Sequence, residues 1–239
     1  MTTLCTRLSG ASASSSIDAL GEASSFSTEL IVLAVTKLGE KSLVVHSLTP
    51  ALGRRSFIAS VSGGSSMALY LPLNILEAEV TENPRSDLWR MRRSVAVHTL
   101  NGIRSSVLKN SMTLFMSEVL YRTVRDGALE DGLFEWCKRS ILTLDALESD
   151  FSNFHLRWLL EFAVALGFSP SLEDLAPFAG EHLAEIETLL KSDFGSSMLL
   201  PLNGASRNEI ADSLIEYIGY HAECRLNIRS LSVLRELYR

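Results

Sequence analysis

The spacing of apolar residues divides the chain into two regions. Between Glu29 and Leu100 they form short runs separated by turn residues, which is typical of β-strands. After Asn110 they recur every three or four positions, which is the period of an amphipathic helix. The sequence therefore predicts a β region followed by a helical region.

Five short strands are predicted in the β region. The segment from Lys37 to Lys41 is a hairpin-length connection in which Gly39 supplies a positive φ. A closed barrel is favoured, because closure removes the edges that an open five-stranded sheet would expose. The predicted strands are Leu30–Val35, Leu43–Leu48, Ser56–Val61, Ile75–Val80 and Ser94–Leu100.

Four helices and a last helical turn are predicted in the helical region. The third helix begins near Ser152 and is stopped by Gly167 and Pro170. Ser206 and Glu209 have the spacing of a capping box, which starts the fourth helix. The inward positions of the first two helices and of the last turn are Met112, Phe115, Met116, Val119 and Leu120; Leu133, Trp136, Cys137, Ile141 and Leu144; and Leu231, Leu234 and Leu237.

The expected fold class is α+β, with a barrel domain at 27–104 and an all-helical domain at 105–239. The first 26 residues contain seven serines and few bulky side chains, so they are expected to form a disordered extension. A transit peptide is the alternative, although Arg7 is the only base there and Asp18 and Glu22 are acidic.

Composition excludes several classes of protein. With 46% apolar and 21% charged residues among 239, the chain has enough apolar side chains for a core. No apolar run approaches the length of a membrane span, so no membrane association is expected. The cysteines at positions 5, 137 and 224 are too far apart for a disulfide framework or a four-ligand metal site. We expect a cytoplasmic protein without metal or other cofactor.

No catalytic pattern is found. The five histidines show no metal-ligand spacing, and Ser62–Ser66 matches neither a P-loop nor a nucleophile elbow. The chain is therefore predicted not to be an enzyme.

Charge is divided unevenly along the chain. Residues 27–125 carry a net charge of +5, and residues 126–239 carry −10. A polyanion is expected to bind the positive part. The alternative is that charge simply fluctuates between domains.

A cluster of arginines surrounds Trp89. Guanidinium groups bind phosphate in bidentate fashion and an exposed indole stacks on bases, so the cluster suits a groove for single-stranded nucleic acid. The alternative is that Leu88 and Trp89 fill the barrel while the arginines are only solvated. The cluster consists of Arg85, Arg90, Arg92 and Arg93, and a second candidate pair is Arg54 and Arg55 at a turn.

Seven segments resemble the bacterial recombination mediator family RecO. They occur in the family's order between about residues 28 and 238, which makes chance agreement improbable. The segments are Thr28–Leu33, Gly53-Arg54, Leu71–Val80, Glu118–Arg122, Phe151–Leu156, Leu166–Pro170 and Arg229–Leu237.

The resemblance implies an N-terminal oligonucleotide/oligosaccharide-binding (OB) barrel and a helical C-terminal domain. Proteins of this family bind single- and double-stranded DNA, anneal complementary strands and contact single-strand-binding protein. With RecR they load RecA at gaps, and they are not enzymes. The chain departs from the family in two ways, since residues 171–175 lack the cysteines of the family's zinc site and no Lys or Arg lies between Arg55 and Arg85.

The resemblance also implies that the helical domain binds the acidic, apolar C-terminal tail of single-strand-binding protein. An apolar pocket bordered by cations is needed, and we expect Arg139 and Arg225 to form that border together. The alternative is that these bases cap helix ends or are solvated.

Two other functions are considered. An adaptor that keeps the fold but has lost DNA binding is favoured by the acidic total and the missing basic loop. An oligosaccharide-binding barrel needs exposed aromatic side chains, for which Tyr70 and Trp89 are the only candidates.

Overall fold

The computed structural model describes residues 24–61 and 64–237. Five strands close into a barrel in the order β1-β2-β3-β5-β4, with β3 and β5 parallel and the other neighbours antiparallel. This is the arrangement of an OB-fold, so the predicted closed barrel is confirmed. The strands are β1 Ser25–Lys37, β2 Ser42–Thr49, β3 Gly53–Ser60, β4 Ile75–Thr81 and β5 Leu88–Ala96.

The predicted position of the fifth strand is wrong. The predicted strand is Ser94–Leu100, whereas β5 spans Leu88–Ala96. Trp89 and Met91 point into the barrel while Arg90 and Arg92 are exposed, so the segment does alternate. The alternation was missed because arginine occupies the outward positions of a short strand.

Strand β1 is buried on both faces. Leu30 and Val32 belong to the core inside the barrel, whereas Ile31 and Leu33 belong to the core shared with the helices. A run of four apolar residues is what a strand between two apolar layers requires. The helical domain is therefore packed directly on the outside of the barrel.

Within the described residues, nine α-helices follow the barrel. The four helices predicted from periodicity are present as α2, α3, α4 and α8, and the predicted last helical turn is α9. The helices are α1 Asn101–Arg104, α2 Val107–Thr123, α3 Leu133–Ala146, α4 Phe154–Ala165, α5 Leu172–Ala179, α6 Leu183–Lys191, α7 Phe194–Leu199, α8 Gly204–His221 and α9 Ser230–Leu237, and a 3-10 helix spans Gly64–Tyr70 between β3 and β4.

The helix starts differ from the prediction in one place. The N-cap of α8 is Asn203, whose Oδ1 accepts a hydrogen bond from Ser206 N at 2.8 Å. The capping box predicted at Ser206 and Glu209 is therefore wrong. A capping box is formed instead by Ser171 and Asp174 at the start of α5.

The predicted extension at 1–26 lies largely outside the described residues. Its last two residues, Ser25 and Phe26, belong to β1 and pair with Thr81 and Val80. None of the helices in the described part of the chain is long and apolar enough to cross a bilayer.

Candidate nucleic-acid interface

Three exposed arginines lie on the outside of β5 and on the turn before it. Arg90 and Arg92 point outward because their strand neighbours Trp89 and Met91 fill the barrel, and Arg85 lies on the β4–β5 turn. Within the described residues, none of the ion pairs includes these three side chains. We call Arg85, Arg90 and Arg92 the β5 arginine surface.

Arg93 differs from its neighbours on β5. Its φ of 52° lies in the left-handed region, beside a register shift between β4 and β5. Its Nη1 lies 2.9 Å from Oε2 of Glu79. Glu79 of β4 thus compensates part of the Arg93 charge, although the Arg93 side chain is 84% exposed.

Trp89 is buried, with 8% of its surface exposed. Its ring meets Phe26 edge to face at 6.4 Å, and the Arg55 guanidinium lies 5.2 Å from its ring centre. The expectation of an exposed indole for base stacking is therefore wrong. Trp89 lies in the core inside the barrel, as the alternative states. Arg55 is half-buried against this ring.

Phe26 is the aromatic ring that solvent reaches at this site. It is 37% exposed and lines a cavity of about 430 Å³ together with Arg93, Glu79 and Val95. Sequence reasoning missed Phe26, because it follows a serine-rich stretch assigned to the extension. Its alternation with Ser25 and Ser27 was the available signal.

Arg54 joins the barrel to the helices. Its Nη1 donates hydrogen bonds to the carbonyl oxygens of Tyr121, at 2.7 Å, and Val124, at 2.6 Å. Its guanidinium also lies 4.3 Å from the Tyr121 ring centre, and its side chain is only 14% exposed. The prediction that Arg54 contacts DNA does not agree with this geometry, which assigns it a structural role.

Replacing Arg54 by methionine is expected to lower the free energy of unfolding by about 2–4 kcal/mol, because two buried carbonyl groups lose a charged donor. The slope of log affinity for an oligonucleotide against log salt concentration is expected to stay unchanged. Urea denaturation and fluorescence titration measure the two quantities. Arg90→Met is the matched control, and it should lower the salt slope while leaving the free energy of unfolding unchanged. A lower slope with unchanged stability in Arg54→Met would contradict the structural role.

The β2–β3 face, on which OB-folds commonly bind ligands, is partly covered here. His46 Nδ1 lies 2.8 Å from Ser56 Oγ, and its ring is 5.0 Å from the Tyr121 ring. Burial, together with the nearby Arg54 charge, lowers the pKa of His46, so the ring is neutral at pH 7. The β2–β3 face is therefore less accessible to a ligand than the outside of β5, where Arg90 and Arg92 are exposed.

Arg139 borders an aromatic cavity in the helical domain. The cavity has a volume of about 340 Å³, and its walls include Trp136, Trp158 and Phe194. Trp136 and Trp158 both stack near Phe162, with ring centres 5.8 and 5.1 Å away. The neighbouring Lys138 is held by Glu29 of β1 at 2.6 Å, whereas Arg139 is exposed.

Arg225 lies at a different cavity, beside Phe178 and Tyr220. The two cavities share no lining residue. The expectation that Arg139 and Arg225 border one groove is therefore wrong. Sequence alone placed each base on its helix or helix end, but the groove between the helices depends on how they pack.

The two cysteines within the described residues have thiols of raised pKa. Burial raises the pKa of the Cys137 thiol to about 12 and also raises the pKa of Cys224. Metal binding requires the thiolate. No group of three or more His, Cys, Asp or Glu side chains within 24–61 and 64–237 is arranged to hold a metal ion. Absence of zinc stays a prediction, since Cys5 lies outside the described residues.

These features define an OB-fold barrel protein with a helical C-terminal domain. The family model described as "Recombination protein O C terminal" matches residues 104–177. DNA repair protein RecO of Bacteroides fragilis is 30% identical over 236 residues, which cover 87% of this chain and 97% of that protein. DNA repair protein RecO of Phocaeicola vulgatus is 28% identical over 233 residues, with 87% and 97% covered.

DNA repair protein RecO of Flavobacterium psychrophilum is 28% identical over 234 residues, which cover 88% of this chain and 98% of that protein. The chain belongs to the RecO family, which places it among proteins of DNA repair and recombination. The resemblance found in the seven sequence segments is thereby confirmed.

Proposed function

We propose that this chain is a non-enzymatic recombination mediator. It binds single- and double-stranded DNA, anneals complementary strands and, with RecR, helps load RecA on gapped DNA coated by single-strand-binding protein. The observation that carries the proposal is the β5 arginine surface, which presents three exposed guanidinium groups on the outside of an OB-fold barrel.

The spacing along β5 suits a phosphate backbone. Arg90 and Arg92 are two residues apart on one face of a strand, so their Cα atoms are separated by about 6.8 Å. Both guanidinium groups therefore face the same side of the barrel and can contact phosphates of one strand together. Thr81 and Ile58, which pair with Arg90 on the two neighbouring strands, carry no charge. Glu79 lies opposite Arg92 on β4, but its ion pair is with Arg93.

Annealing needs no bond chemistry. Two strands that bind one cationic surface are partly screened from each other, and their local concentration rises. The protein is therefore expected to raise the rate of pairing without changing the covalent structure of either strand.

The test uses the full chain and two complementary oligonucleotides labelled with a fluorescent donor and acceptor. Pairing faster than in protein-free solution, together with an affinity that falls steeply with salt, supports the proposal. The adaptor function is the second candidate, because no Lys or Arg lies between Arg55 and Arg85 and Glu79 compensates Arg93. Weak binding with little salt dependence supports the adaptor.

We further propose that the Arg139 cavity binds the acidic, apolar C-terminal tail of single-strand-binding protein. Its aromatic walls suit the apolar side chains of such a tail, and Arg139 suits its carboxylates. Glu161 also borders the cavity, but Arg157 holds it at 2.7 Å, which reduces the repulsion of an acidic ligand.

Charge reversal by Arg139→Glu is expected to weaken binding of a tail peptide at least tenfold, about 1.4 kcal/mol or more. Oligonucleotide binding by the barrel is expected to stay unchanged. Arg225→Glu is the matched control, because Arg225 is also exposed and lies at the other cavity. Calorimetric titration measures both variants. Equal loss in the two variants, or parallel loss of DNA binding, would show that the two-site assignment is wrong.

A further inference from the structure

A second groove lies on α8, separate from both surfaces assigned above. Its volume is about 670 Å³, compared with about 340 Å³ for the Arg139 cavity. The apolar part of its lining consists of Phe178 from α5, Ile215 from α8 and Leu226 from the segment after α8. It thus has the size and the apolar floor of a binding groove.

A glycine on α8 lets the following segment form one wall of this groove. A Cβ atom at Gly219 would lie 2.8 Å from the carbonyl oxygen of Cys224 and 3.6 Å from the Leu226 side chain. The backbone therefore crosses α8 at a distance that only glycine permits. Cys224 N donates a hydrogen bond to Gly219 O at 2.9 Å, so the wall is fixed in place.

An exposed aromatic side chain stands at the edge of the groove. Tyr220 is 71% exposed, and its ring centre lies 5.7 Å from that of Phe178. A tyrosine ring left open to solvent beside an apolar floor offers its face to a cation.

Carboxylates lie on both sides of this ring in the lining of the groove. Glu216 precedes Tyr220 by one turn of α8, and Glu223 lies two residues after the end of α8. Glu216 makes none of the ion pairs found among the described residues, and Glu223 is 85% exposed with Arg125 at 4.0 Å. Three acids and one base line the groove. Asp212 is paired with Arg235, so the carboxylates that remain beside the Tyr220 ring are Glu216 and Glu223.

We propose that this groove binds a basic segment of a partner protein. A lysine or arginine of that segment lies over Tyr220 between Glu216 and Glu223, and an apolar neighbour occupies the floor formed by Ile215 and Leu226. This site goes beyond DNA binding and tail binding, and it selects the opposite charge from the Arg139 cavity. The helical domain then separates its two protein partners by the sign of their charge.

The test measures binding of a fluorescein-labelled peptide with the repeat Leu-Arg-Leu-Lys to the full chain. Glu216→Lys is expected to weaken binding about tenfold and Tyr220→Ala about threefold or more, since the first reverses the rim charge and the second removes the ring. Glu148→Lys, an exposed position outside the groove, is the matched control for the change in net charge and should have less than about a twofold effect. Binding of a DNA oligonucleotide is expected to stay the same in Glu216→Lys.

Several outcomes would overturn the proposal. Equal weakening by Glu148→Lys would mean that the peptide responds only to the overall acidity. Absence of saturable binding would exclude a basic ligand. Loss of self-association in Tyr220→Ala, measured by sedimentation, would assign the groove to a second copy of the chain. Both substituted side chains are exposed, and an unchanged circular dichroism spectrum confirms that each variant is folded.

Discussion

Replacing Arg85, Arg90 and Arg92 together by alanine is expected to reduce the salt dependence of single-strand binding by about two units. Each phosphate contact with a single strand contributes a slope of about 0.7 in log affinity against log salt, and three contacts are removed. The loss is expected to be uniform across sequences, because phosphate contacts carry no base information. All three side chains are exposed, so stability should be unchanged.

Two comparisons separate loss of the β5 contacts from loss of positive charge in general. Lys191 and Arg229 are exposed cations of the helical domain, and their joint replacement by alanine should leave the slope unchanged. Arg93→Ala should reduce the slope less than Arg92→Ala, because Glu79 already pairs with Arg93. Fluorescence anisotropy at several salt concentrations measures each slope. An unchanged slope in the triple variant would move the DNA contact away from β5.

Replacing Gly53 by alanine is expected to lower the free energy of unfolding by about 2–4 kcal/mol. Gly53 has a φ of 61°, and its Cβ would lie 1.9 Å from the carbonyl oxygen of Ala128. The positive φ alone costs about 1 kcal/mol, and the overlap forces the backbone apart at a further cost of about 1–3 kcal/mol. In the native protein Ala128 O accepts a hydrogen bond from Arg54 N at 3.3 Å, and Arg54 O accepts one from Gly127 N at 2.8 Å.

Gly39→Ala separates the two contributions. Gly39 has a φ of 77° but no atom within 4 Å of a Cβ, so only the conformational cost of about 1 kcal/mol is expected. Urea denaturation of both variants gives the difference. Equal destabilisation would show that contact between the barrel and residues 126–128 contributes nothing, contrary to the structure.

The strands illustrate how far periodicity predicts the fold. Four predicted strands overlap β1 to β4, because their apolar runs are bounded by turn residues. The predicted fifth strand lies too far toward the C-terminus. Only Trp89 and Met91 mark the inward positions of this part of β5, and Arg90 and Arg92 between them make the segment look like a basic loop. The short helices α5, α6 and α7 were not predicted, because fewer than ten residues give little periodic signal.

The candidate site was found from residue type, but the roles within it were not. Arg54, Arg85 and Arg90 are the same residue type near turns or strands in the sequence. In the structure Arg54 bonds to two carbonyl groups of the α2 end, whereas Arg85 and Arg90 face solvent. Sequence does not distinguish them, because the partners of Arg54 are 67 and 70 positions away.

The sequence by itself determined the barrel, the change to helices and the family, because these depend on local periodicity and on short segments in order. Tertiary structure alone decided that Trp89 is buried, that Arg54 joins two domains, and that Arg139 and Arg225 border separate cavities. These properties depend on which distant segments lie in contact. A side chain's exposure and charge partners are fixed by that contact, and the same residue type therefore has different roles in one chain.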